Sequence, residues 1–280
     1  MQRTHRQAGV MDEDAVAALR AQLPAGVALE EDITPTAWFL DEGHLSEDAW
    51  RIGAYMPAGF DAHVRIFHPA RDPHDGDDRR WQELAAVAGR TLGPEITWKD
   101  VKPEDERDIS ALVPGGGSLP PARCDTLAAL LRGGSYRSYF CLWEGFGLWR
   151  GGGLLHLEER GNVLIRAAVG IRRRSSAFRT RRDEERRRRQ LAEIPRVDLA
   201  NRSYYLFSGA IDAVPRLTRA LGQSPNLWWP EDRSWFVSTE IEGFSTYVGG
   251  DERHIAALMD SRDLETVPVT REHRLDPEVW

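Results

Sequence analysis

The clearest alternation of apolar and polar positions in the chain runs from Trp235 to Ile241. Strand side chains point alternately to opposite faces, so the odd-numbered positions of this run share one face and the even-numbered positions share the other. The run is rich in β-branched and aromatic residues, which suit a pleated sheet. Residues 242–243 then predict a tight turn and 244–248 a returning strand. The stretch therefore predicts an antiparallel hairpin, and Asp251 is placed to cap the helix that follows.

Other segments carry the periodicities of strands and helices. Alternation or short apolar runs predict strands at 62–68, 138–144, 203–208, 235–241 and 244–248, with shorter strands at 34–40, 50–56 and 264–269. Helical spacing of apolar residues predicts helices at 12–23, 81–89, 119–132 and 211–221. Together these elements predict an α+β fold with a mixed, mostly antiparallel sheet and helices packed on it. Two strand-to-helix connections leave room for some parallel pairing.

The composition is that of a globular protein with a sizeable core. The chain has 280 residues, of which 41% are hydrophobic and 29% charged. We predict a disordered lead-in at residues 1–11 and a single globular domain over 12–280. We also predict an arginine-rich, flexible insert near 172–190 within that domain.

The charge of the chain and its cysteine content indicate which partners and which cellular compartment to expect. The net charge of −7 argues against a general affinity for nucleic acid or for an anionic membrane. The first residues lack the apolar region of a signal peptide, and no apolar run is long enough to span a membrane. The two cysteines, Cys124 and Cys141, are predicted to be small buried thiols, which favours a cytoplasmic location.

The arginine-rich segment has two interpretations. Residues 172–189 contain ten arginines and three acidic residues. One interpretation is an arm that binds phosphate groups of a nucleic acid. The other is a solvated insert, which we prefer because Phe178 is its one aromatic residue and the whole chain is acidic.

The segment 224–233 combines two prolines and an asparagine, which predicts a loop. Trp228 and Trp229 are adjacent and must point to different sides, so we expect at most one of them to fill the core. Both could cover the edge of the sheet. Alternatively they line a recognition surface together with Asp232 and Arg233, since Trp and Arg are enriched at binding hot spots.

Two acidic residues are candidates for acid and base chemistry. Glu240 is the one ionisable residue inside the 235–241 strand, and Glu144 ends an apolar strand. A pair of carboxylates in one cleft, with one shifted pKa, could serve a hydrolase or a transferase. We predict no metal and no cofactor, because His63 and His68 face opposite sides of a strand. The common nucleotide-binding, zinc-protease and serine-hydrolase motifs are also absent.

Several segments resemble a family of uncharacterised proteins from high-GC bacteria. The resemblance is carried chiefly by FCLWEGFG (140–147) and by SPNLWWPEDRSWFVSTEIEGFSTYVGG (224–250). It implies one compact cytoplasmic domain in which residues 148–203 form a variable connection. The family carries no established activity, so no catalytic residue can be transferred.

The sequence therefore predicts a binding protein without catalytic activity, which uses the tryptophan-rich segment 224–233. Its partner would be a protein or a small ligand. One alternative is a hydrolase or transferase that uses Glu144 and Glu240 as acid and base. The other alternative is nucleic-acid binding through residues 172–189.

Overall fold

The computed structural model describes residues 15–41, 45–46, 48, 50–72, 76–103, 112–133, 136–146, 185, 189–199 and 202–275. The predicted lead-in at 1–11 and nearly all of the arginine-rich segment 172–189 lie outside these ranges.

Within the described ranges, the main sheet contains nine strands, and all their pairings are antiparallel. The strands of the described chain are β1 (Ala28–Leu29), β2 (Ala62–Phe67), β3 (Ala70–Arg71), β4 (Asp78–Arg79), β5 (Val113–Pro114), β6 (Ser138–Trp143), β7 (Arg196–Leu199), β8 (Arg202–Gly209), β9 (Leu227–Pro230), β10 (Trp235–Thr239), β11 (Ser245–Gly250) and β12 (Thr266–Val269). The main sheet has the order β1-β8-β6-β9-β10-β11-β2-β12, with β7 also paired to β8. A small separate sheet has the order β4-β3-β5.

Helices cover both faces of the main sheet. They are α1 (Ala15–Gln22), α2 (Ala37–Leu40), α3 (Trp81–Val87), α4 (Trp98–Val101), α5 (Pro121–Leu130), α6 (Val214–Leu221) and α7 (Glu252–Met259). Helices α1, α5, α6 and α7 contribute to the core on one face, which we call the first face. Helices α2, α3 and α4 contribute to the core on the second face.

The predicted α+β class and the mostly antiparallel sheet are confirmed. The alternation from Trp235 also holds, because Trp235 and Val237 lie in the core of the first face and Phe236 lies in that of the second. Asp251 caps α7, and its side chain accepts a hydrogen bond from the backbone N–H of His254.

Two of the short predicted strands are wrong. Residues Thr34–Thr36 form a 3-10 turn that leads into α2, and Ile52–Ala54 form another 3-10 turn. Pro35 is at the start of the first turn, where its fixed φ favours a helical conformation. Short apolar runs do not distinguish strands from buried helical turns.

The predicted loop at 224–233 is also wrong over its central part. Leu227–Pro230 form β9, which lies between β6 and β10 near the middle of the sheet. Pro230 is the last residue of this strand and Pro225 precedes it, so neither proline interrupts the strand interior.

A row of aromatic side chains crosses the second face of the sheet in register. Tyr139 pairs with Trp229, and their rings stack with centroids 5.6 Å apart. Trp229 stacks in turn on Phe236, at 5.8 Å. The next strand in the row carries Gly249, which pairs with Phe236. Because Gly249 has no side chain, Phe60 and Met56 can pack against its backbone.

We expect Gly249→Ala to destabilise the fold. A Cβ atom at this position would lie 2.8 Å from Phe60 Cδ2 and 2.9 Å from Met56 Sδ. Overpacking of this kind costs about 1–3 kcal/mol. Urea unfolding followed by tryptophan fluorescence measures the loss. Gly93→Ala is the control, because a Cβ there meets nothing within 4 Å; equal stability of both variants would contradict the packing argument.

Candidate functional site

Glu240 follows β10 directly and is buried, with 5% of its surface exposed. Its carboxylate accepts a hydrogen bond from the backbone N–H of Glu242. The guanidinium of Arg202 lies 3.6 Å from Glu240 and 3.3 Å from Glu242. Burial raises the pKa of Glu240 above its ordinary value, although the hydrogen bond and Arg202 act in the opposite direction.

Two tyrosines share the environment of Glu240. Burial, with a smaller contribution from the charge of Glu240, raises the pKa of Tyr55 to about 12. Burial also raises the pKa of Tyr204, to which Tyr55 and Glu240 contribute further. A buried acid beside two neutral phenols therefore lies at this end of the sheet.

Glu144 and Glu240 each follow a strand, and each carboxylate lies beside a different arginine. Glu144 follows β6 in a short 3-10 turn, and its carboxylate lies 2.9 Å from the guanidinium of Arg196. Strand β9 separates β6 from β10, which places their backbones roughly 10 Å apart. Each carboxylate has its own arginine, so the geometry gives the hydrolase or transferase hypothesis no support.

The tryptophans predicted to line a recognition surface are in the core. Trp228 packs on the first face and Trp229 on the second, and each is 1% exposed. The expectation that at most one of them fills the core is wrong, and so is their assignment to a binding surface. The two tryptophans are adjacent on a strand that is buried on both faces, so each fills the core of one face.

Asp232 and Arg233 are exposed, as a surface role requires. They lie in the turn between β9 and β10, which the hydrogen bond from Arg233 N–H to the carbonyl of Pro230 closes at 2.9 Å. Arg233 has a φ of +59°, in the left-handed region that favours glycine. Its guanidinium carbon lies 5.3 Å from the centre of the Trp38 ring.

The turn packs on Trp38, which the sequence patterns did not identify as a candidate site residue. Its ring packs edge-on against Phe236 at 5.8 Å and against Phe60 at 6.4 Å. Among the described residues, the buried indole Nε1 has no hydrogen-bond partner, and neither has Nε2 of His63, whose ring also packs against Phe60. Burial lowers the pKa of His63, so its ring favours the neutral form.

His63 and His68 have different neighbours. His63 lies beside Phe60, whereas His68 is bonded through Nδ1 to the carbonyl of Gly115 at 2.6 Å and through Nε2 to the hydroxyl of Thr246 at 2.9 Å. Burial lowers the pKa of His68 to about 4. Within the described ranges, no group of three or more His, Cys, Asp and Glu residues could hold a metal ion.

Comparisons of the whole chain with protein-family models, curated proteins and solved structures give no significant match. The resemblance to a family from high-GC bacteria therefore stays a prediction. In the part of the chain that the structure describes, every helix is too short or too polar to cross a bilayer.

The raised pKa of Glu240 predicts a pH-dependent stability difference between the wild type and Glu240→Gln. A raised folded-state pKa stabilises the fold below the ordinary value of 4.5, and this stabilisation is lost as pH rises through the folded pKa. Glutamine mimics the protonated acid at every pH. We therefore expect the free energy of unfolding of the wild type to fall relative to that of Glu240→Gln as pH rises from 4.5.

Urea unfolding at several pH values between about 4 and 7 measures this difference. Glu242→Gln is the matched control, because it removes the other carboxylate near Arg202 and leaves the buried acid in place. The control is expected to keep most of the pH dependence of the wild type, because burial raises the pKa of Glu240 more than the charge of Glu242 does. A constant difference between the wild type and Glu240→Gln would contradict the assignment of a raised pKa.

Proposed function

We propose that the protein is an interaction protein without catalytic activity, and that the turn between β9 and β10 binds its protein partner. The observation that carries the proposal is Arg233, held in a left-handed backbone conformation with its guanidinium over Trp38. This keeps part of the surface predicted from the sequence, Asp232 and Arg233, and replaces the two buried tryptophans by Trp38.

The backbone conformation of Arg233 is costly for any residue other than glycine. A left-handed φ costs an L-residue about 1–2 kcal/mol because Cβ approaches the following carbonyl. Glycine would close the same turn without this strain. Strained residues are concentrated at functional sites, so an arginine here points to a use for its side chain.

The Trp38 ring restricts the guanidinium of Arg233, and the residue is exposed, so a partner can reach it. A guanidinium stacked on an aromatic ring loses less conformational freedom when it binds a carboxylate. Asp232 supports the turn, because its carboxylate accepts the N–H of Ser234 at 3.1 Å. Arg and Trp supply many interface hot spots, and an acidic group on the partner fits this pair.

The cytoplasmic location and the exclusion of other partners belong to the same proposal. Both cysteines are free and buried, which suits a reducing compartment. Binding to nucleic acid through 172–189 would depend on residues outside the described ranges, and the net charge of −7 opposes it.

Replacing Arg233 by glycine and by alanine separates the cost of the backbone strain from the contribution of the side-chain contact. Arg233→Ala keeps the left-handed strain and loses the cation–π contact, which is worth about 0.5–1 kcal/mol at exposed sites. Arg233→Gly loses the contact but relieves the strain. We therefore expect Arg233→Gly to be more stable than Arg233→Ala by about 1–2 kcal/mol, as measured by urea unfolding. Equal stabilities would show that the turn stores no strain.

The interaction itself is tested with the tagged full-length chain in its host cell. After cross-linking, quantitative mass spectrometry compares the proteins recovered with the wild type, Arg233→Gly and Arg253→Ala. Arg253 is the matched control, an arginine of α7 whose side chain is 85% exposed. We expect at least one protein to be recovered with the wild type and the control and to be lost with Arg233→Gly. Identical recovery with all three chains would refute the proposed surface.

A further inference from the structure

A shallow depression, largely open to solvent, lies on the side of the molecule formed by α3 and α4. It lies in the connection between these helices and beside the turn that follows β12. Its volume is about 480 Å³, within the usual range for small-molecule sites. Residues 90–96 supply most of the lining, and Asp100 and His273 complete it.

A buried arginine holds two residues of the lining, Pro94 and Ile96, in place. Arg65 is in the middle of β2 and has no exposed surface. Its guanidinium donates hydrogen bonds to the carbonyls of Pro94 and Ile96, at 2.9 and 2.8 Å, and to the hydroxyl of Ser245 at 2.9 Å. The chain that lines the depression is therefore tied to the central sheet. Such a shape, formed in advance, lowers the entropy cost of binding.

Two groups at the depression can donate hydrogen bonds to an anion. The guanidinium of Arg90 donates no hydrogen bond to the described residues, and its charge reaches Asp100. Nδ1 of His273 accepts the backbone N–H of Thr270 at 2.8 Å. A neutral ring in this arrangement carries its proton on Nε2, which then is a donor.

Two carboxylates lie in the same lining. One oxygen of Glu95 accepts the N–H of Arg274 at 2.8 Å, which fixes the side chain. Asp100 accepts the N–H and the hydroxyl of Thr97, at 2.9 and 2.7 Å. These bonds lower the pKa of Asp100, so its charge persists at neutral pH. Within the described ranges, the second oxygen of each residue accepts no hydrogen bond, so a cationic group can pair with it.

We propose that this depression binds a small zwitterion of the amino-carboxylate class, such as a free amino acid. The carboxylate of the ligand pairs with Arg90 and with Nε2 of His273. Its ammonium group pairs with Glu95 and Asp100, and its apolar part lies against Ile96 and Pro94. The site shares no residue with the turn that carries Arg233, so it is a second binding function.

Isothermal titration calorimetry of the full-length chain with each of the common free amino acids tests the proposal. We expect one chemical subset to bind with a dissociation constant in the micromolar to low millimolar range, which is usual for a ligand of this size. The N-acetyl and the amide derivative of the best ligand remove its cationic and its anionic group separately. Each derivative is expected to bind about tenfold more weakly or worse, because a charge-assisted hydrogen bond is lost.

Matched variants examine the protein side of each contact. Arg90→Gln removes the cation, and Glu95→Gln removes an anionic charge while its amide oxygen can still accept the N–H of Arg274. Both are expected to weaken binding at least tenfold, and Arg253→Ala, which lies on α7, is expected to bind like the wild type. Circular dichroism and thermal unfolding verify that each variant is folded. The ligand derivatives test the same contacts on the unaltered protein.

Absence of binding by any free amino acid at about 10 mM, a concentration that detects even millimolar affinity, would overturn the proposal. Equal affinity of the parent ligand and both derivatives would also overturn it, because the charges would then play no part. If Arg90→Gln bound the ligand with unchanged affinity, the depression would be excluded as the binding site.

Discussion

The structure depends on a sheet that is buried on both faces. A polar group in the middle of that sheet is costly unless it finds a partner inside the protein, since water does not reach it. Asn226 is an example, because its amide nitrogen bonds the carbonyl of Thr239 at 3.2 Å and its amide oxygen accepts the N–H of Trp143 at 3.0 Å. This one side chain joins β6, β9 and β10 where the three strands meet. Arg65 meets the same requirement on the second face, through carbonyls of the connection between α3 and α4.

A sheet covered in this way leaves its ends and its connections for contact with other molecules. Both candidate surfaces follow this rule. The turn that carries Arg233 is braced by Trp38, which packs on the core residue Phe236. The depression is braced by Arg65. In each case a surface group is positioned by a rigid element beneath it, which is the arrangement that precise recognition requires.

The hydrophobic pattern predicted the strands with strong alternation and the longer helices, because burial of alternate positions leaves a direct record in the sequence. It failed at 34–40 and at 224–233. The first is a short apolar run without a clear period, and in the second the prolines mark the ends of a buried strand instead of a loop. Arg233 could be selected from the sequence as an exposed hot-spot type. Its contact with Trp38 could not, because it depends on how α2 packs against β10. The hydrogen bonds from Arg65 to the carbonyls of Pro94 and Ile96 could not be predicted either, because they also depend on how distant segments of the chain pack together.

The two cysteines lie in different layers of the molecule, Cys124 in the core of the first face and Cys141 in that of the second. Burial raises the pKa of both thiols, so neither reacts readily while its layer is closed. Alkylation of each sulfur therefore records the opening of one layer. The two cysteines therefore report separately on the two sides of the sheet. Their relative rates of alkylation tell whether the two layers separate from the sheet together, as one cooperative unit, or one before the other.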